Sequence, residues 1–427
     1  MLTVAYLANQ FPSPVEPYVG QEIIELRRRG VNVVAGSVRR GPGSGEECEA
    51  DLLLLPAGLL LAVRAVWLCI RRWKRISPLM RRVFLGGSEG PMCRLKALIH
   101  TWLGACYAIR LKNLRIDHIQ VHHGFFGAWI GMAAARLLGI DFSLTLHGSD
   151  LLLYPSYLDV KLALCRSCFT ISEYNRNYIL QRYPQIDPSK VIVARLGIEA
   201  SDTPPRMLDP RQQAPFMLLA VGRLHAVKDH AFLLRACARL QSCGIDFHCV
   251  IAGDGPERRN LETFISRHAL TSHVTLLGHV PRDEMSGWYD VADLVVLTSR
   301  SEGIPLVLME AMARGKLVLA PAITGIPELV IAGQTGFLYR PGSLGDFVTQ
   351  LMEIYRMVQA AGAETSDCPS KDASAGQLEW IRHAAWLRVR QKFERQKNLD
   401  YFAEMFLSRV SEHNESIPNE DFVLQQI

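Results

Sequence analysis

Two stretches of this chain alternate short apolar runs of strand length with helix-length amphipathic patterns, and that repeated alternation leaves few folds open. Residues 3–7, 31–37, 118–122, 142–146, 168–171 and 191–194 read as buried strands in the first stretch, with helical patterns such as 19–29 and 128–138 between them. In the second, strand-like runs at 216–221, 247–252, 274–277, 294–297 and 317–320 alternate with helices at 229–243, 256–269, 283–290 and 305–314. Such alternation predicts a parallel sheet covered on both faces, here formed twice. The expected class is α/β, with two doubly wound parallel-sheet domains facing across a cleft. Residues 199–215 are polar and carry four prolines, which makes them the linker between domains 1–198 and 216–356. Residues 357–377, rich in Ala, Gly, Ser and Asp, read as a loose loop. Residues 378–410, with Trp380, Trp386, Phe393, Tyr401, Phe402 and Phe406 in a helical pattern, read as closing helices.

A chain of 427 residues with 49% hydrophobic and 21% charged side chains has ample material for two cores, which excludes disordered and collagen-like classes. Its ten cysteines are scattered through apolar segments, so reduced thiols and a cytoplasmic setting are expected. Cys165 and Cys168 form a lone CxxC among Leu162, Leu164 and Phe169 and read as core rather than as a metal or redox site. The apolar start at Leu2–Leu7 lacks a preceding basic region and reads as a first strand, not a cleaved signal peptide.

Charge is uneven. Between Arg64 and Arg115 stand twelve basic residues and one acid, Glu89, a local charge of +11 in a chain of net +5. Upstream lies a leucine-rich run from Leu52 to Val63, and Trp67, Leu68, Ile70 and Trp73 sit among the arginines. Pro56 and Arg64 interrupt this stretch, which is too short to cross a bilayer. Apolar and cationic side chains so mixed suit an interfacial helix on an anionic membrane, which makes 52–115 a basic amphipathic membrane-surface segment. The plainer alternative is a packed helical pair with a solvated basic face. No RNA-binding or zinc motif supports nucleic acid as a partner.

Chemistry concentrates in the second half. The segment from Ser301 to Gly315 follows a strand, with Pro305 suited to a helix start and Gly315 to its end. A helix start at the C-terminal edge of a parallel strand is an anion site. Glu310 lies in this otherwise apolar helix, where a carboxylate needs hydrogen-bond donors; the hydroxyls of a ribose would supply them, as would a buried Arg or backbone amides. Gly222-Arg223-Leu224 with Lys228 forms a strand-to-helix turn whose two cations could hold a diphosphate, or equally a solvated loop. Gly253-Asp254-Gly255-Pro256 and Gly278-His279-Val280 end two further strands, and all four loops would open on one sheet edge.

Together these motifs, in order and spacing over roughly 216–340, resemble the donor-binding domain of family 4 retaining glycosyltransferases of the GT-B fold, whose two domains are Rossmann-like. The resemblance rests above all on Glu302 and Glu310, with seven residues between them, Glu302 standing within Ser-Glu-Gly-Ile-Pro. It implies that Arg223 and Lys228 bind a nucleotide diphosphate, that Glu310 binds the ribose, and that Val280 lies beside the base. It also implies that Gly253, Glu302 and the backbone of Gly303, Ile304, Pro305 and Leu306 contact donor sugar or phosphate. Asp229 departs from the Gly that many members carry after the Lys.

In the first half, Thr145-Leu146-His147-Gly148-Ser149-Asp150 resembles the family's His-Gly-x-Asp turn, which implies that His147 faces the donor sugar and acts with Glu302 in catalysis. The segment 11–19 with Glu16, and the His122-His123-Gly124 turn, resemble exopolysaccharide and lipid-linked-oligosaccharide members. Glu16, His122, His123 and Asp150 are assigned to the acceptor side. The final Phe393-x4-Asn398 segment resembles the family's closing helix.

The function implied is retaining transfer of a hexose from a nucleoside-diphosphate sugar to a glycan or lipid-linked acceptor in cell-surface or exopolysaccharide biosynthesis, at the inner face of a membrane. No Asp-x-Asp occurs, so metal-independent transfer without a further cofactor is expected, with domain closure excluding water. The alternatives are a nucleotide-sugar epimerase of the same fold and a catalytically silent, membrane-recruited partner.

Overall fold

The computed structural model describes residues 1–13, 16–41, 48–204, 215–281, 283–362 and 369–411. Most of the expected linker, 205–214, and Pro14 and Val15 of the segment 11–19 therefore lie outside the described residues. The chain divides into two compact units, unit 1 comprising Met1–Arg195 with Leu399–Ile427 and unit 2 comprising Leu196–Asn398.

Unit 1 runs β1 (Thr3–Phe11), α1 (Pro17–Arg28), β2 (Asn32–Arg40), β3 (Leu52–Leu53), α2 (Leu59–Arg71), α3 (Trp73–Leu85), α4 (Pro91–Leu111), β4 (His118–His122), α5 (Phe126–Leu138) and β5 (Asp141–Leu146). It continues through α6 (Ser149–Leu152), α7 (Leu158–Leu164), β6 (Cys168–Thr170), α8 (Glu173–Arg182) and β7 (Val191–Val193). All strand pairs are parallel, in the order β3-β2-β1-β4-β5-β6-β7. Successive β1 residues feed opposite cores: Ala5 and Leu7 join Val121, Trp129 and Phe142, whereas Val4, Tyr6 and Ala8 join Ile23 and Leu26. Both faces are thus covered, as a parallel sheet requires.

Unit 2 runs β8 (Phe216–Val221), α9 (His230–Ser242), β9 (Phe247–Ala252), α10 (Arg258–Arg267), β10 (Val274–Gly278), α11 (Met285–Val291), β11 (Leu294–Val296) and α12 (Leu306–Ala313). β12 (Leu317–Pro321), α13 (Ile326–Leu329), β13 (Phe337–Tyr339), α14 (Leu344–Gly362) and α15 (Pro369–Lys392) follow. Its sheet is parallel in the order β10-β9-β8-β11-β12-β13. Phe216 and Leu218 pack with Phe247 and Phe347 on one face, Leu219 and Val295 with Leu308 and Val389 on the other.

The loop expected at 357–377 is corrected: α14 extends to Gly362 and α15 starts at Pro369, while 363–368 lie outside the described residues. Alanine is a strong helix former, and Met357, Val358 and Ala361 pack against the unit 2 core, so composition misled here. The aromatic pattern at 378–410 is shared between the units. Leu378, Ile381 and Phe393 are buried in unit 2, and from Leu399 the last helix, α16 (Arg395–Ser411), places Phe402 and Phe406 in the unit 1 core.

The basic segment forms α2, α3 and α4. On α3, Ile76, Leu79, Met80 and Val83 point inward at i, i+3, i+4 and i+7 spacing. On α2 only Ala65 is buried, and Leu59, Leu60, Val63, Val66, Trp67 and Ile70 are exposed, Leu59 at 82%. Four of the twelve cations serve the fold: Arg72 and Arg75 donate to the Leu137 carbonyl, Arg82 pairs with Glu89 and Asp159, and Arg94 donates to carbonyls from Val83 to Glu89. The other eight are exposed. No helix among the described residues is long and apolar enough to cross a membrane.

Candidate functional site

In unit 2 the chain winds outward from β8 in both directions, so β8 and β11 flank the point where strand order reverses. Ligands of such sheets bind at the C-terminal ends of those strands. The loop after β8 carries Gly222, Arg223 and Lys228; the loop after β11 carries Glu302, Gly303 and Ile304. Lys228 Nζ donates to Glu302 Oε1 at 2.6 Å, directly across this point. The backbones are tied as well, since the Arg300 amide donates to the Val227 carbonyl and Thr298 Oγ1 to that of Lys228. Arg223 stays exposed to solvent.

Asp229, where the family resemblance leads one to expect Gly, adopts φ +46°. Its carboxylate accepts from the Phe232 amide at the start of α9 and from Arg300 Nε at 2.7 Å. The left-handed turn is therefore kept without glycine, because Asp tolerates that conformation and caps the helix that follows. His230, which the sequence did not single out, is buried beside the backbone of Gly222 and Arg223. Burial first, then the Lys228 charge, pushes its imidazole down to about 4.

Gly253 follows β9 at φ +146°, and a Cβ there would stand 2.0 Å from the Gly222 carbonyl oxygen. Its amide donates to the Gly278 carbonyl at 2.7 Å, so the loops after β8, β9 and β10 are stitched edge to edge, with Val280 just beyond. Helix α12 begins after Pro305 with no side-chain cap, which leaves its first amides to face this edge. Gly315 ends it at φ +65°. Glu310 does find a donor: Tyr289 OH reaches its Oε2 at 2.8 Å.

Unit 1 has its own polar cluster at the C-terminal edge of β1, β4 and β5. His122 ends β4 and His123 follows it, and His147 and Asp150 follow β5. His122 Nδ1 lies 3.2 Å from His147 Nε2, and its Nε2 lies 2.9 Å from Glu22 Oε2 of α1. His123, at φ +67°, lies between Glu16, 2.9 Å from its Nε2, and Asp150, 3.6 Å from its Nδ1. Burial opposes charge on His123, but Asp150 and Glu16 outweigh it and push the imidazole up to about 10. Burial alone would raise the Asp150 carboxyl. The His123 imidazolium, with the Gly148 amide, instead holds it well below the usual carboxylate range. His147 moves the other way, pushed well below its ordinary value by burial and then by the neighbouring His123 and His122.

The family model for glycosyl transferases group 1 matches residues 209–361, and that for glycosyltransferase family 4 matches residues 15–202. The D-inositol 3-phosphate glycosyltransferase of an Arthrobacter species is 33% identical over 301 residues, 62% of this chain and 69% of that protein. The chain belongs to glycosyltransferase family 4. A putative colanic acid biosynthesis glycosyltransferase, WcaL of Salmonella typhimurium, is 34% identical over 179 residues, 40% of this chain; the match spans 43% of that relative's length. Anabaena HepE, solved in complex with UDP, shares the fold over 96% of this chain and 100% of its own, with a TM-score of 0.65 at 18% identity. The two parallel-sheet units are thus those of a GT-B glycosyltransferase.

Within this family 4 chain, each residue singled out in the sequence falls on the C-terminal sheet edge of its unit or on the helix that follows. Lys228 and Glu302 touch; Glu16, His123, Asp150, His147 and His122 form one cluster. Besides His230, the sequence did not single out Glu22, Tyr18, whose ring stacks 4.5 Å from that of His147, or Tyr289. Glu22 had left a trace, since it occupies one of the inward positions Val19, Glu22, Ile23 and Leu26 of α1.

Proposed function

We propose that this chain transfers a hexose from a nucleoside-diphosphate sugar to a glycan or lipid-linked saccharide, with retention and without a metal ion, in exopolysaccharide or cell-surface glycan synthesis. The observation that carries the reading is the edge of unit 2, where Arg223, Lys228, Glu302 and the uncapped start of α12 meet at the strand-order reversal. Arg223, Lys228 and the α12 amides would neutralise the departing diphosphate, a preorganised field that needs no metal. Glu310, held by Tyr289, would take the ribose hydroxyls, and Gly253, Gly303 and Val280 would line the donor. Glu16, His122, His123 and Asp150 belong to the acceptor side, with His147 next to the reacting sugar. The name of the Salmonella relative supports the exopolysaccharide setting.

The exposed apolar face of α2, with Trp73, Phe84, Leu85, Met92 and Leu95 nearby in sequence, belongs to a segment that carries eight exposed cations. This composition fits a peripheral seat on an anionic bilayer at its cytoplasmic face. Binding to vesicles with and without anionic phospholipid, compared with Trp67→Glu, tests it; equal binding to neutral vesicles would remove the electrostatic part.

Release of nucleoside diphosphate from UDP-, GDP- and ADP-sugars, with and without a membrane extract, tests the transferase reading. Release that needs the extract and falls in Glu310→Ala is expected. An epimerised nucleotide sugar recovered without transfer would overturn it.

A further inference from the structure

The unit 1 cluster holds a chain of groups that determines where a single proton sits. Glu22 Oε2 accepts from His122 Nε2 at 2.9 Å and from Tyr6 OH at 3.3 Å, so His122 carries its proton on Nε2. In the neutral form of His122 its Nδ1 is then an acceptor, and His147 Nε2, the group facing it at 3.2 Å, donates to it. A neutral imidazole has one N–H, and burial with the neighbouring His123 charge keeps His147 neutral. Its Nδ1 is left as a bare lone pair, buried and with no hydrogen-bond partner among the described residues. Tyr18 and His123 flank the ring, each with a centroid 4.5 Å away. Such an unpaired buried acceptor is costly until a donor reaches it.

We propose that Glu22, acting through His122, fixes His147 as its Nε2–H tautomer and so holds Nδ1 ready to accept a hydrogen bond from a saccharide hydroxyl. Glu22 is thereby a positioning residue. The saccharide rests on the glycosyl-transfer reading above; the tautomer does not.

The test uses the intact chain with 15N-labelled histidines and long-range proton–nitrogen correlation, His147 being assigned by its loss in His147→Asn. A protonated Nε2 and a bare Nδ1 are expected. Glu22→Gln, whose amide can itself donate to His122, should yield a mixture of His147 tautomers and lower kcat about tenfold with donor KM unchanged. His122→Phe cuts the link without altering Glu22 and should give the same mixture, which serves where Glu22→Gln fails to fold. An Nδ1–H or doubly protonated His147 in the wild type, or an unchanged His147 in both variants, overturns the proposal. The expected tautomer in a protein that turns over no donor would support the chain of groups while removing the glycosyl-transfer reading.

Discussion

His123 offers a test of the unit 1 electrostatics that needs no substrate. Its imidazole is raised from 6.5 to about 10 in the folded chain, because Asp150 and Glu16 outweigh the cost of burying the charge. The native state therefore binds more protons than the unfolded chain between those values. The stability contributed by this imidazolium is fully present below pH 6.5 and is lost as pH rises towards 10. From pH 7 to 9 close to one proton separates the states, and the loss amounts to about 2.5 kcal/mol. The His123 side chain is 8% exposed, so solvent screens little of this. In His123→Gln the term disappears; Asp150 and His147, which lose the neighbouring His123 charge, shift with it, while groups outside this cluster titrate alike in both proteins. Urea denaturation at pH 7, 8 and 9 should show the wild type losing its advantage over the variant by about that amount. An advantage that is the same at pH 7 and pH 9 would refute a charged His123 between two carboxylates.

Asp229→Ala should destabilise more than Asp229→Gly by about 1 kcal/mol, because both lose the helix cap but only Ala resists the left-handed turn; thermal melts of the two variants decide it. Gly253→Ala places a Cβ 2.0 Å from the Gly222 oxygen. It should cost about 2 kcal/mol or more and weaken nucleoside-diphosphate binding in calorimetry, and near-wild-type values would contradict the loop stitching. Glu302→Gln should strengthen binding of a nucleoside diphosphate lacking sugar, by about tenfold, since Lys228 loses a competing carboxylate; titration of wild type and variant measures it.

Most strands were legible because runs buried on both sheet faces are apolar throughout, as in Leu294–Val296 and Leu317–Pro321. β3 and β13 were missed, β3 being only two residues long and shorter than any periodicity can mark. The loop motifs of unit 2 were visible because each follows its strand directly in the chain. The Glu22–His122–His147 series was not, because α1, β4 and the turn after β5 meet only through strand order and register. His122 pairs in register with Thr145, two residues before His147, and nothing in the linear spacing announces that. Tyr289 similarly reaches Glu310 from a separate helix.

The 2.6 Å contact between Lys228 and Glu302 would make the proposed diphosphate an exchange partner rather than a simple addition. A ligand arriving there would trade one anion on the lysine for another and release a carboxylate to find new donors. Added salt weakens the bond being broken along with the bond being made, so the two effects partly cancel. Affinity for the nucleotide would then vary less with ionic strength than the charge of a diphosphate suggests.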